Sequence, residues 1–154
     1  MLTKLLPDQI SKFWDIIKYA IEQSIPPNVG EHPDKSNRIL SAALSGKVDV
    51  WASYDKSTEV NRFEGLMLTK ILYDDVVDMK NLLIYSVYGY ETISEDSWKN
   101  GLRTILKYAA GNNCSLVVAY TDVPKIVEVV NSLGGDTSFT FISFNINKLI
   151  KSFN

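Results

Sequence analysis

The sequence contains one cysteine, Cys114, and one histidine, His32, in 154 residues. A lone cysteine forms no internal disulfide, which fits a reducing compartment. No His/Cys/Asp cluster has metal-ligand spacing, so no metal site is expected. No apolar run approaches the ~20 residues of a membrane span. The opening "MLTKLLPDQISKF" interrupts its apolar residues too early for a secretory leader. The formal charge is −2, which argues against the phosphate backbone of nucleic acid as a partner. There is no internal repeat and no low-complexity segment. These absences leave a soluble, cytoplasmic protein with no membrane partner. A single domain over 1–154 is expected, since about 100–200 residues make one domain.

What is present is a clear succession of periodic segments. A short strand is expected at 2–6. After Pro7-Asp8, Ile10, Phe13, Trp14, Ile17 and Ile21 recur at helical spacing, with Asp8 as cap and Pro26-Pro27 as the stop. Residues 28–32 read as loop. A second helix opens at Pro33 or Asp34, turns Ile39, Leu40, Ala43 and Leu44 inward, and closes at Gly46. Three strands follow at 47–55, 64–73 and 81–90, joined by links short enough for antiparallel hairpins. Strict alternation puts Val48, Val50, Ala52 and Tyr54 on one face, and Tyr85 and Tyr88 on opposite faces.

The pattern then becomes helix–strand–helix–strand. The helix at 95–110 buries Trp98, Leu102, Ile105, Leu106 and Ala109, exposes Lys99, Arg103 and Lys107, and ends at Gly111. Residues 115–121 read as a fully buried strand. A helix with Pro124 in its first turn precedes Gly134-Gly135, and 137–146 reads as a last strand, with one further helical turn in the tail. The crossover through the 95–110 helix implies a parallel strand pair. The fold class is therefore α/β with a mixed sheet, in the order β-α-α-β-β-β-α-β-α-β.

In this element order, and in the "NSLGGD" turn before the last strand, the chain resembles the GNAT superfamily of N-acyltransferases. The resemblance implies a turn of the form Gln/Arg-x-x-Gly-x-Gly/Ala after the central strand, whose amides and helix N-terminus bind the pyrophosphate of acyl-coenzyme A. The corresponding stretch, "ETISEDSWKNGL", has no Gly-x-Gly, and the family's basic or amide residue is missing from its turn. Its acids suit helix capping instead, through a Thr92–Glu95 capping box or Ser94 as N-cap. Two like charges ~5 Å apart repel by about 3 kcal/mol at an effective dielectric of 20. The helix dipole returns ~0.3–2 kcal/mol. Glu95 and Asp96 at the helix mouth would therefore oppose a pyrophosphate.

The tyrosine acid that the family often carries in its last helix is also missing, since "IVEVVNSLGG" offers Val129, Val130 and Asn131. Were the chain active, the resemblance would assign catalysis to Glu91, Tyr90 and Tyr120, and acetyl-CoA binding to Ser94, Glu95, Asp96 and Ser97. His32, in a loop without a partner in sequence, and Cys114, before a buried strand, read as structural. The Lys99, Arg103, Lys107 stripe reads as a solvated face. Aromatics crowd the three-strand region (Trp51, Phe63, Tyr73, Tyr85, Tyr88, Tyr90), and any that face outward suit a protein interface.

These departures imply a degenerate member: a pseudoenzyme without cofactor, acting as a structural or protein-interaction module. It would bind a protein partner, form a homo-oligomer or assemble into a larger particle. Small acetyltransferase-like proteins of bacteriophages, some of them in the virion, offer the analogy. The alternative is an acyl-CoA-dependent N-acyltransferase with a divergent pyrophosphate loop.

Overall fold

The computed structural model describes residues 1–24, 32–57 and 59–153. Five strands form one sheet in chain order: β1 (Leu2–Lys4), β2 (Asp49–Asp55), β3 (Arg62–Asp74), β4 (Met79–Gly89) and β5 (Cys114–Ala119). The first three pairings are antiparallel and β4–β5 is parallel. The expected meander and crossover are both present.

Helices α1 (Pro7–Lys12), α2 (Trp14–Ser24) and α3 (Lys35–Leu44) cover one face. Ile10, Ile17, Ile21, Ile39 and Ala43 pack there on Val48, Val50, Ala52, Leu66 and Leu68. Helix α4 (Glu95–Gly111) covers the other face, where Ile105 and Ala109 meet Trp51 and Leu82. The alternation of β2 explains both layers, because Val50 and Ala52 point one way and Trp51 the other. The Trp51 indole N–H donates to buried Thr69 Oγ1 at 2.9 Å, which satisfies both groups in the second core.

Several local expectations change. The single N-terminal helix is two helices, separated at Phe13, which is exposed. Leu6 is the N-cap in place of Asp8, since Pro7 suits the first helical position and the Leu6 N–H donates to Gln9 Oε1. The Pro26-Pro27 stop and most of the 28–32 loop lie outside the described residues. Leu44 and Leu106 are exposed, because each sits at the margin of its helix's apolar stripe. Helix α4 includes Gly111, and its cap is Asn112.

The face assignment of Tyr85 is corrected by a β-bulge. Leu68 pairs with Ser86 and Thr69 with Ile84, so Tyr85 is an extra residue in β4. A bulge shifts the alternation by one, and Tyr85 and Tyr88 both pack against the α1–α3 core. The last strand is the larger correction. Residues 137–145 pair with nothing in the sheet, and the chain ends in helical turns, α6 (Ile146–Leu149) and a 3₁₀ turn (Ile150–Phe153). Among the described residues the order therefore stops at five strands. With no sixth strand beside it, β5 is the sheet edge and not the buried strand expected: Leu116 is 58% exposed. Helix α5 (Pro124–Ser132) buries no residue fully. No helix among the described residues is long and apolar enough to cross a membrane.

Candidate functional site

The sheet opens between β4 and β5. Their pairing runs from Lys80↔Cys114 to Ile84↔Ala119 and ends there. Strand β4 continues to Gly89, paired only on its β3 side. The Tyr85 bulge begins where the two strands part. The β4 edge from Tyr85 to Gly89 thus borders a cleft at the carboxyl ends of a parallel pair, where α/β sheets place ligands. Tyr120, one residue past β5, stands at this mouth, 37% exposed and packed on Phe141 at 5.3 Å between ring centres. It is not on a buried strand.

Helix α4 starts shortly after β4 ends, and its first turn borders Met1, Leu2, Tyr54 and Asp55 at the ends of β1 and β2. Ser94 is its N-cap, accepting from the Ser97 N–H at 3.1 Å. The Thr92–Glu95 alternative is not formed. Glu95 turns away along the helix to Lys99, 2.8 Å distant. That hydrogen bond and the lysine charge hold the Glu95 carboxyl below the usual range and push the Lys99 pKa up. One of the two carboxylates expected to guard the helix mouth is therefore ion-paired along the helix surface. Asp96 lines an open cavity of about 570 Å³ with Ser94, Ser97, Lys56, Asp55 and Arg103, so the rim carries both signs. The rim around Asp96 thus holds a second acid, Asp55, and two cations, Lys56 and Arg103.

Glu91 pairs with Arg62 at 2.7 Å and is about half exposed. The Tyr90 hydroxyl donates to the Ile16 carbonyl at 2.6 Å, which ties β4 to α2. His32 Nδ1 accepts from the Asp34 N–H in the turn before α3, a structural role. Among the described residues no group of three His, Cys, Asp or Glu side chains could hold a metal.

Sequence reasoning missed Glu64. It is fully buried, at 0% exposure. Ser53 pairs with Gly65 and Tyr54 with Phe63, so Glu64 is the extra residue of a bulge in β3. Bulges of this kind re-aim a side chain. Its Oε1 accepts from Ser53 Oγ at 2.8 Å, and Oε2 has no hydrogen-bond partner. Its carbonyl accepts from the Tyr90 N–H, which places it beside the end of β4. A row of rings crosses the same strand ends: Tyr54, Phe63, Tyr90, Tyr88 and Tyr19, with centres 4.9 to 5.8 Å apart. A hydrogen bond with Tyr19, then burial, raises the Tyr88 pKa, while burial raises that of Tyr90. An acid inside a strand of apolar residues was the available signal, since burying a carboxylate with one oxygen unsatisfied is costly.

No protein-family model and no curated protein matches the sequence. Solved structures do match the fold. A probable acetyltransferase superposes with a TM-score of 0.68 at 13% identity, covering 95% of this chain and 97% of that one. The chain has the GNAT fold. A predicted acetyltransferase from Clostridium acetobutylicum, solved with acetyl-CoA, gives 0.65 at 14% identity over 96% and 97% of the two chains. The ribosomal-protein-alanine N-acetyltransferase from Brucella melitensis biovar Abortus 2308 gives 0.63 at 10% over 94% and 99%. The GNAT fold thus spans nearly the whole chain.

The groups at the cleft suit acetyl-CoA in two respects. The β4 edge at 85–89 offers unpaired backbone groups to the amides of a pantetheine arm, as any open strand edge does. The Ser94–Ser97 turn presents the start of a 17-residue helix to a diphosphate. It lacks the glycines that would let the phosphates approach most closely.

Proposed function

We propose that this chain is an acyl-CoA-dependent N-acyltransferase with a divergent pyrophosphate turn. The observation that carries the reading is the parting of β4 and β5 after Ile84↔Ala119. The similarity to named acetyltransferases supports it. When bound, acetyl-CoA supplies an activated acyl thioester. The Ser94–Ser97 turn, including the Glu95 and Asp96 amides, holds the diphosphate end. The Tyr85–Gly89 edge aligns the arm. Glu64 Oε2 is the proton acceptor for the attacking amine, reached through one water. Tyr120 at the cleft mouth is the candidate donor to the departing thiolate.

Thermal unfolding with and without acetyl-CoA tests this. Ligand at 100 times its dissociation constant stabilises a protein by about 2.7 kcal/mol, a rise of several degrees in Tm for a domain of this size. The rise should be absent with acetate or adenine alone. No shift at millimolar acetyl-CoA would leave the competing reading, a non-catalytic interaction module of the same fold.

A further inference from the structure

Glu64 is set by its backbone and aimed by one neighbour. The Tyr90 N–H donates to its carbonyl at 2.9 Å, which pins the β3 bulge to the end of β4. Gly65 follows it without a side chain. A Cβ there would stand 2.7 Å from the Tyr88 carbonyl oxygen, so the two strands approach closely on that side. These contacts fix the backbone and leave the glutamate several rotatable bonds. Ser53, opposite Gly65 on β2, restrains them: its hydroxyl donates to Oε1 at 2.8 Å. Oε2 is buried and has no hydrogen-bond partner. Arg62, earlier on β3, is engaged by Asp55 at 3.4 Å and by Glu91 at 2.7 Å. Among the described residues, the Ser53 hydroxyl is therefore the one side-chain donor that the Glu64 carboxyl meets.

We propose that Ser53 is a positioning residue for proton transfer to Glu64. The inference rests on the acyltransferase reading and adds to it the residue that aims the base. An ionised carboxylate only accepts, and a serine hydroxyl has a single proton to donate. With that proton directed at Oε1, one oxygen is occupied. Oε2 is the one left for the proton of the attacking amine, relayed by one water. Ser53 keeps its own proton throughout. A hydrogen bond to a charged acceptor is roughly twice as strong as one between neutral groups, so a single hydroxyl suffices to select one rotamer of the carboxylate. Without it the carboxylate turns among several, and both oxygens lie unsatisfied in the interior.

The role has consequences that a merely structural hydrogen bond lacks. Ser53→Ala should lower kcat by about 10- to 100-fold, the loss of one hydrogen bond to a charged group. KM for acetyl-CoA should not change, because the Ser94–Ser97 turn is unaltered. Ser53→Thr keeps the hydroxyl in a residue that strands favour, so it should retain kcat. In the Glu64→Gln chain, Ser53→Ala should cost no further activity, since the carboxylate it aims is already gone.

The first readout uses the full chain without acetyl-CoA. Infrared difference spectra with isotope-labelled glutamate, wild type minus Glu64→Gln, isolate the Glu64 band. At neutral pH the expected band is that of a carboxylate. It should shift to higher frequency in Ser53→Ala and return in Ser53→Thr. Should Ser53→Ala fail to fold, Ser53→Cys keeps nearly the same volume with a weak donor and should show the same shift and the same loss of kcat. The second readout is steady-state kinetics with acetyl-CoA and three acceptor probes: phenethylamine, spermidine and a lysine-containing peptide. A Glu64 band insensitive to the loss of the hydroxyl, or the band of a protonated acid in the wild type, would overturn the proposal. So would an unchanged kcat in Ser53→Ala where Glu64→Gln loses activity, a result that leaves the acyltransferase reading intact. A wild-type chain that turns over none of the probes would overturn the positioning role and the acyltransferase reading together.

Discussion

Glu64 and Asp49 show how differently two acids are treated on one sheet. Asp49 is satisfied twice, by Lys4 at 3.5 Å and by the hydroxyl of Tyr108, which donates to it. Glu64 has one partner for two oxygens and is deeper. Glu64→Gln tests whether that unused oxygen serves chemistry. Glutamine retains an acceptor for Ser53 and nearly the same volume, so the fold and acetyl-CoA affinity should persist. Acyl transfer should fall by about 10²–10⁴ in kcat, the usual range for a lost general base. Steady-state kinetics with unfolding curves would separate the two effects, and an unchanged kcat would remove Glu64 from the chemistry.

Among the elements, the two glycines Gly65 and Gly101 make opposite predictions. A Cβ on Gly65 would lie 2.7 Å from the Tyr88 carbonyl oxygen, a backbone atom that cannot move aside. Gly65→Ala should therefore cost roughly 1–3 kcal/mol by overpacking β3 against β4. A Cβ on Gly101 meets nothing within 4 Å. In the interior of α4, Gly101→Ala should stabilise by about 0.5–1 kcal/mol. Urea titration of both variants measures the difference. Elements were the most legible level of the sequence. A period-two run located β2, an apolar and aromatic run located β4, and 3.6-residue runs located α2, α3 and α4, because burial imposes those patterns. The bulges at Glu64 and Tyr85 were not legible. A single extra residue leaves composition and hydropathy unchanged, and only the opposing strand reveals it.

For the whole molecule, the tyrosines set a limit on the alkaline side. Tyr73, Tyr85, Tyr88, Tyr90 and Tyr108 all have raised pKa values. A hydrogen bond to Asp78 is the main cause at Tyr73, burial at Tyr85 and Tyr90, the Tyr19 contact at Tyr88, and burial then Asp49 at Tyr108. Unfolded tyrosine ionises near pH 10. A raised folded value means that the neutral form is favoured in the native state. The stability it contributes is complete below about pH 10 and is lost as pH rises toward the folded values. Urea midpoints between pH 8 and 11 should fall on the alkaline side, and Tyr108→Phe should shallow that fall. An equally steep decline in the variant would mean that Tyr108 does not contribute to it.

The sequence by itself determined the order of the elements from α3 to α5, the two apolar faces of β2, the antiparallel meander and the crossover, since each follows from local periodicity and turn chemistry. It also located the α4 N-terminus and offered Ser94 as one of two caps, the one the structure forms. Tertiary structure alone decided the rest. It turned Glu95 to Lys99, buried Glu64 at a bulge, ended the β4–β5 pairing at Ile84 and left 137–145 outside the sheet. Each of these depends on which strand lies opposite, and a strand's own residues do not specify its neighbour.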